Sequence, residues 1–165
     1  MLQQDDLVAH IPRLRRYGRA LTGDGNRADD LVQDTLERAL SRFTLWPPKD
    51  LRPWLFSIMH NLFVNQVRRP DLVAYGEESG EGGIRAQVPM DGLELRDLDT
   101  ALQRLPQEQR EVLLLVALEE LSYAEAARVL GVPLGTVMSR LSRGRDRLRL
   151  LLAVPDAPNR LQVVK

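Results

Sequence analysis

The chain has 165 residues, no formal net charge, 44% hydrophobic and 28% charged residues, the balance of a globular protein with room for one medium domain or two small ones. The absence of cysteine excludes disulfides and thiolate metal sites. No apolar run is long enough to cross a bilayer, and the acidic start Met1-Leu2-Gln3-Gln4-Asp5-Asp6 lacks the basic and apolar regions of a secretory signal, so a cytoplasmic location is expected. Aromatic residues are only 5%, and Leu, Arg and Ala dominate, which favours helices over sheets. The zero net charge hides an uneven distribution. Residues 1–70 carry 11 Lys/Arg and 8 Asp/Glu, residues 71–121 carry 4 and 12, and residues 122–165 carry 8 and 3. Two basic blocks flank an acidic middle, as in chains that meet nucleic acid, although a scatter of solvated surface charge gives the same counts.

Residues 5–21 read as one amphipathic helix, with Leu7, Ile11, Leu14 and Leu21 at helical spacing and Arg13, Arg15, Arg16 and Arg19 largely off that stripe. Thr22-Gly23-Asp24-Gly25 stops it. Asn26 is positioned to cap a second helix, whose apolar face holds Leu31, Val32, Thr35, Leu36, Ala39, Leu40 and Phe43. Its other face gathers Asp29, Asp30, Gln33, Asp34 and Glu37. Such a face suits a basic partner, or serves only as a solvated side with its acids near the positive helix end. Trp46-Pro47-Pro48-Lys49 cannot be helical. A third helix, from about Arg52 to Arg69, is apolar nearly all round through Trp54, Leu55, Phe56, Ile58, Met59, Leu62, Phe63, Val64 and Val67. It is either deeply buried or has a second face with a task.

Residues 71–92 are Gly- and Glu-rich with little to bury, the composition of a flexible acidic linker. Beyond it, Leu93–Leu105 reads as a helix, Pro106 starts another, and Ser122-Tyr123-Ala124-Glu125 is a capping box opening a third. Gly131 ends that helix, and a fourth runs from about Leu134 to Leu152. The expected fold class is all-α: two small helical domains, 1–70 and 93–152, joined by the linker 71–92, with a frayed tail 153–165.

The stretch from Tyr123 to Leu141 has helix-turn-helix spacing. A short helix carries Ala126, Ala127 and Leu130, Gly131 makes the turn, and Val137 and Leu141 pack the second helix. That second helix would lie in a major groove and present Thr136, Ser139, Arg140 and Arg143, with Arg147 a turn further on for the backbone. A plain helical hairpin with a solvated arginine face is the bland alternative. No His/Asp/Glu cluster has metal spacing, no Gly-rich loop leads into a phosphate-binding helix, and Asp29 and Asp30 are adjacent and diverge around a helix, so neither catalytic residues nor cofactors nor a small-molecule substrate are expected.

Two sets of motifs carry a family resemblance. Leu105–Val116, Leu121–Ala127 and Gly131–Arg145 resemble the promoter-reading domain of extracytoplasmic-function (ECF) sigma factors of the sigma-70 family. Ala28–Ala39 resembles that family's polymerase-binding helix, and Arg52–Asn61 through Arg69 its promoter-melting helix. The resemblance implies an alternative sigma factor. Its partners would be core RNA polymerase, bound through Asp29, Asp30, Gln33, Asp34 and Glu37, then promoter DNA and an anti-sigma factor. It implies −10 contacts at Trp46, Lys49, Asn61, Arg68 and Arg69, and −35 contacts at Thr136, Ser139, Arg140, Arg143 and Arg147. For Trp54 and Phe56, core packing is the preferred reading. Three positions depart from the family's habit: Met138 where Lys is common, Gly144 where Ala is common, loosening the recognition helix, and His60 where Arg is frequent. The competing readings are a conventional helix-turn-helix regulator and a purely protein-binding scaffold.

Overall fold

The computed structural model describes residues 4–45, 48–68 and 92–153, with side chains described at 5–45, 48–68 and 96–153. The expected linker up to residue 91, the tail after 153, Trp46 and Arg69 lie outside them. Among the described residues every regular element is a helix: α1 (Gln4–Ala9), α2 (Ile11–Thr22), α3 (Gly25–Phe43), α4 (Leu51–Arg68), α5 (Gly92–Arg104), α6 (Gln107–Leu113), α7 (Tyr123–Leu130) and α8 (Leu134–Ala153).

Local chemistry explains most of the boundaries. The single helix expected over 5–21 is divided at His10, whose backbone N–H turns back to the Leu7 carbonyl. Pro12 stands two residues later and can neither donate to the preceding turn nor fit against it, so the helix restarts. Gly23 ends α2 with a left-handed φ of +71°. The cap of α3 is Asp24 rather than Asn26: the Asp24 carboxylate accepts from the Asn26 backbone N–H at 2.9 Å. Leu40, expected in the core, is 45% exposed on α3. Helix α6 widens into a π-helical turn, Leu114–Leu118, which the periodicity did not reveal.

The two helical halves expected from the sequence are both present, and they pack against each other. In the first half, α2 crosses α3 and α3 lies against α4. In the second, α5, α6 and α7 all pack on α8. The halves then meet, with α7 on α4, and α5 and the π turn on α2. A single cluster of buried side chains runs from Leu7 in α1 to Leu141 in α8. This accounts for the apolar perimeter of α4: α3 covers one side and α7 another. Phe56 meets Tyr17 edge-on at a ring separation of 5.0 Å, and Trp54 lies 6.4 Å from Phe43, so Trp54 and Phe56 are packing residues.

The joint between the halves is polar at its rim and centre. The Arg110 guanidinium donates to the carbonyls of Leu102, Gln103 and Leu105 around the end of α5, and across the joint to Leu21 at the end of α2. These are the carbonyls a helix end leaves without partners, and a cation suits their negative pole. Gln103 donates to the Ala20 carbonyl at 2.9 Å. Arg16 on α2 forks onto Glu119, with 3.2 Å between Nη2 and Oε1. His60 on α4 reaches the buried Glu111 on α6, 2.7 Å from Nδ1 to Oε1. Tyr17 is wholly buried beside this joint, and desolvation, then Glu111 and Glu119, push its hydroxyl pKa well above the ordinary value.

Burial pushes the Glu119 carboxyl above its usual pKa, and Arg16 only partly offsets this. The folded carboxyl therefore holds its proton more tightly than an unfolded one. Its contribution is favourable in acid and is lost as pH rises through the folded pKa. Glu119→Gln keeps an oxygen for Arg16 and is expected to melt above the parent at pH 7, with the gap closing as pH falls below the normal carboxylate range; thermal melts at both pH values check this. Arg110→Ala strips a charged donor from four carbonyls and is expected to cost at least about 2 kcal/mol in denaturant unfolding.

Candidate polymerase and promoter interfaces

Helix α3 separates its two faces cleanly. Ala28, Leu31, Val32, Thr35, Ala39 and Phe43 are buried. Asp29, Asp30, Gln33, Asp34 and Glu37 are all exposed on the other side. Asp30, Gln33, Asp34 and Glu37 follow one another at spacings of three and four residues, which stacks them into a ridge. Desolvation raises the Asp34 carboxyl above its ordinary pKa, and the negative charges of Glu37 and Asp30 push the same way. The ridge is thus a concentrated negative surface whose charge a cationic partner would relieve. Leu40 continues it by one turn and adds an apolar spot that the hydrophobic pattern had assigned to the core.

The expected −10 residues lie on or beside α4. Lys49 is exposed in the turn ahead of α4, and Asn61 and Arg68 are exposed along it. No contact in the structure joins these three side chains into one site. Asn61 stands next to His60, which points the other way into the joint with Glu111. His60 therefore has a structural partner.

The helix-turn-helix is built as its sequence implies. Ser122 Oγ accepts from the Glu125 backbone N–H at 3.1 Å, and the Glu125 carboxylate accepts in return from the Ser122 N–H at 3.1 Å. Those bonds hold the Glu125 carboxyl below its ordinary pKa. Gly131 turns the chain at a φ of +66°, a conformation that side-chain-bearing residues rarely adopt. Val137, Leu141 and Gly144 face inward from α8. A Cβ on Gly144 would stand 3.0 Å from Leu113 and 3.3 Å from Gln109. Glycine here lets α8 approach α6 closely, a packing role in place of the loosening expected from helix propensity.

The burial of Val137 and Leu141 fixes which residues of α8 face out. Ser139, Arg143 and Arg147 are exposed, and Thr136 is half-buried. Ser139 Oγ donates to the Thr136 carbonyl at 3.1 Å, leaving its oxygen free to accept. Arg140 departs from the expectation. It does not lie opposite the buried stripe but at its edge; its side chain is 24% exposed and sits 3.7 Å from Glu108 at the start of α6. Its spacing from Arg143 points it outward, yet it lies one turn after the buried Val137 and one turn before the buried Gly144, which puts it beside the buried stripe. Arg145 and Arg149 are exposed as well, with Arg149 3.9 Å from Asp146. Two exposed apolar residues of α8, Leu134 and Met138, were not singled out as site residues.

Comparison with known proteins agrees with this geometry in both halves. Residues 7–60 match the Sigma2 domain of PhyR, and residues 95–148 match Sigma-70, region 4. The ECF RNA polymerase sigma factor EcfG of Rhodopseudomonas palustris is 40% identical over 157 residues, covering 93% of this chain and 87% of the relative. The ECF RNA polymerase sigma factor SigM of Bacillus subtilis is 30% identical over 140 residues, covering 82% of this chain and 86% of the relative. Among solved structures, the sigma factor RpoE of Bartonella quintana, in complex with the anti-sigma factor NepR, superposes with a TM-score of 0.75 at 34% identity, covering 93% of this chain and 97% of that one. CnrH, in complex with the cytosolic domain of CnrY, superposes with a TM-score of 0.67 at 31% identity, covering 90% and 86%. The chain belongs to the extracytoplasmic-function RNA polymerase sigma factors of the sigma-70 family.

Proposed function

We propose that this sigma factor holds core RNA polymerase through the α3 ridge and divides promoter recognition between α4 and α8. The observation that carries this reading is the ridge itself: five polar or acidic side chains exposed together on a helix whose opposite face is entirely core. Charge complementarity to a basic polymerase surface gives such a ridge a partner. Lys49 and Arg68 take phosphates of the opened −10 strand, and the Asn61 amide bonds an unpaired base edge. Trp46 and Arg69 belong to the same proposal. Thr136 and Ser139 face −35 base edges, Arg143 takes a base or phosphate, and Arg147 takes backbone. Arg140 supports α8 through Glu108 more than it reads DNA. The chain acts in the cytoplasm, and its work on DNA is promoter recognition and strand opening.

The closed packing of the halves adds a condition. The −10 and −35 elements, named for their positions, are about 25 base pairs apart, roughly 85 Å at ~3.4 Å per pair. Helices α4 and α7 touch in this structure, so one promoter cannot engage both halves until they part. The 23 residues between Arg68 and Gly92 reach at most about 80 Å when extended, enough to keep the parted halves on one polymerase. The RpoE structure contains the anti-sigma factor NepR, and the CnrH structure the cytosolic domain of CnrY. An anti-sigma factor that holds this chain closed would exploit the same joint.

Replacing Asp30, Gln33 and Asp34 together with Ala is expected to weaken core polymerase binding by at least tenfold, about the sum of modest interface contributions, with helicity unchanged by circular dichroism. Unchanged affinity in a binding titration counts against the ridge. For Arg147→Ala in the holoenzyme, promoter affinity is expected to fall alike on intact and scrambled −35 elements, and the salt slope to shrink by about one. A loss confined to the intact element would move Arg147 from backbone to base contact.

A further inference from the structure

Three large apolar side chains of the helix-turn-helix are exposed: Tyr123 at 38% in α7, and Leu134 at 48% and Met138 at 52% in α8. Tyr123 and Met138 line a shallow cleft of about 270 Å³ with Leu141, Ser142 and the stems of Arg145 and Arg149. Met138 is the member that matters for DNA. Its neighbour Val137 is fully buried, and so is Leu141, which sets the rotation of α8 and turns Met138 outward. It lies in the second turn of the helix whose N-terminal residues meet base edges in a helix-turn-helix. One turn earlier stands Gly135, with open space where a side chain would be, so the backbone can come close to the groove floor and Met138 has the longest reach there. Exposed Arg145 and Arg149 line the same cleft, with Asp146 between them, and Arg143 and Arg147 are exposed further round the helix, which supplies the charge that phosphates require.

The chemistry of methionine then narrows the ligand. A thioether donates no hydrogen bond and accepts only weakly, so it cannot read guanine, cytosine or adenine edges. The one apolar group those edges display in the major groove is the thymine C5-methyl. We propose that Met138 is a specificity-determining residue that reads a thymine methyl in the −35 element, giving this sigma factor a preference for T·A over C·G at one position. The inference rests on the reading of α8 as the −35 helix and adds to it the base that the helix selects.

The test uses core polymerase loaded with the full chain, on a promoter duplex from which it initiates. Each −35 thymine on either strand is replaced in turn by deoxyuridine, which removes the methyl and nothing else. At one position deoxyuridine is expected to lower open-complex formation about fourfold, the worth of one buried methyl group. Met138→Ala should show the same loss with thymine and no further loss with deoxyuridine, whereas Met138→Leu should restore the thymine preference. Met138 is exposed, so both variants should melt with the parent. A flat uracil scan on a promoter whose scrambled −35 abolishes initiation overturns the Met138 assignment alone and leaves α8 as the −35 reader. If scrambling the −35 has no effect on the parent holoenzyme, the reading of α8 fails and this inference with it.

Discussion

Helix α4 is apolar on two sides, and a single neighbouring helix can cover only one. Leu51, Leu55, Phe56, Ile58, Met59 and Phe63 are all buried, some against α3 and some against α7. Leaving one side in water would expose a patch of several large side chains, each worth about 1.5–3 kcal/mol when fully buried. The second half of the molecule therefore docks on the first. The shared core and the coverage of Tyr17 both follow from that docking.

The polar groups at the joint temper this apolar attraction. Arg110 serves as a shared cap for the ends of α2 and α5, so it supports the second half by itself and ties it to the first at one point only, the Leu21 carbonyl. Glu119 and Glu111 are buried carboxylates, each met by one partner from the first half, Arg16 and His60. Burying such charges recovers little net energy, since desolvation consumes most of the attraction, but removing one partner leaves the other stranded. A joint made this way is specific in its geometry without being strongly held. That suits the parting of the halves on a promoter that we propose.

Charge is sorted by helix. The exposed side of α3 is acidic from Asp29 to Glu37, with Arg38 and Arg42 beyond, and that of α8 is mainly basic; each is backed by a buried stripe, so neither helix can rotate to hide its charge. The surfaces proposed to meet polymerase and promoter remain on the outside while the halves are closed. Closure restrains the distance between the surfaces rather than access to either one.

Much of this was legible in the sequence, and the reason is range. The Ser122–Glu125 capping box, the left-handed Gly131 and the buried pair Val137 and Leu141 depend on residues within a few positions of one another, and the acidic ridge needs only helical periodicity. What the tertiary structure decided lies at separations of tens of residues. Arg16 meets Glu119 across 103 positions and His60 meets Glu111 across 51, pairings to which no local pattern points. The apolar perimeter of α4 announced a second contact without naming the partner. Gly144 read as a weak helix former until Leu113 was seen 3.0 Å from its missing side chain. Arg140 reads as a groove residue, yet it sits at the edge of the core 3.7 Å from Glu108, and Leu40 reads as core, yet it is 45% exposed. Periodicity assigns a residue to a face of its own helix; only the packed neighbours determine how wide the buried face is and which residues at its edge remain in water.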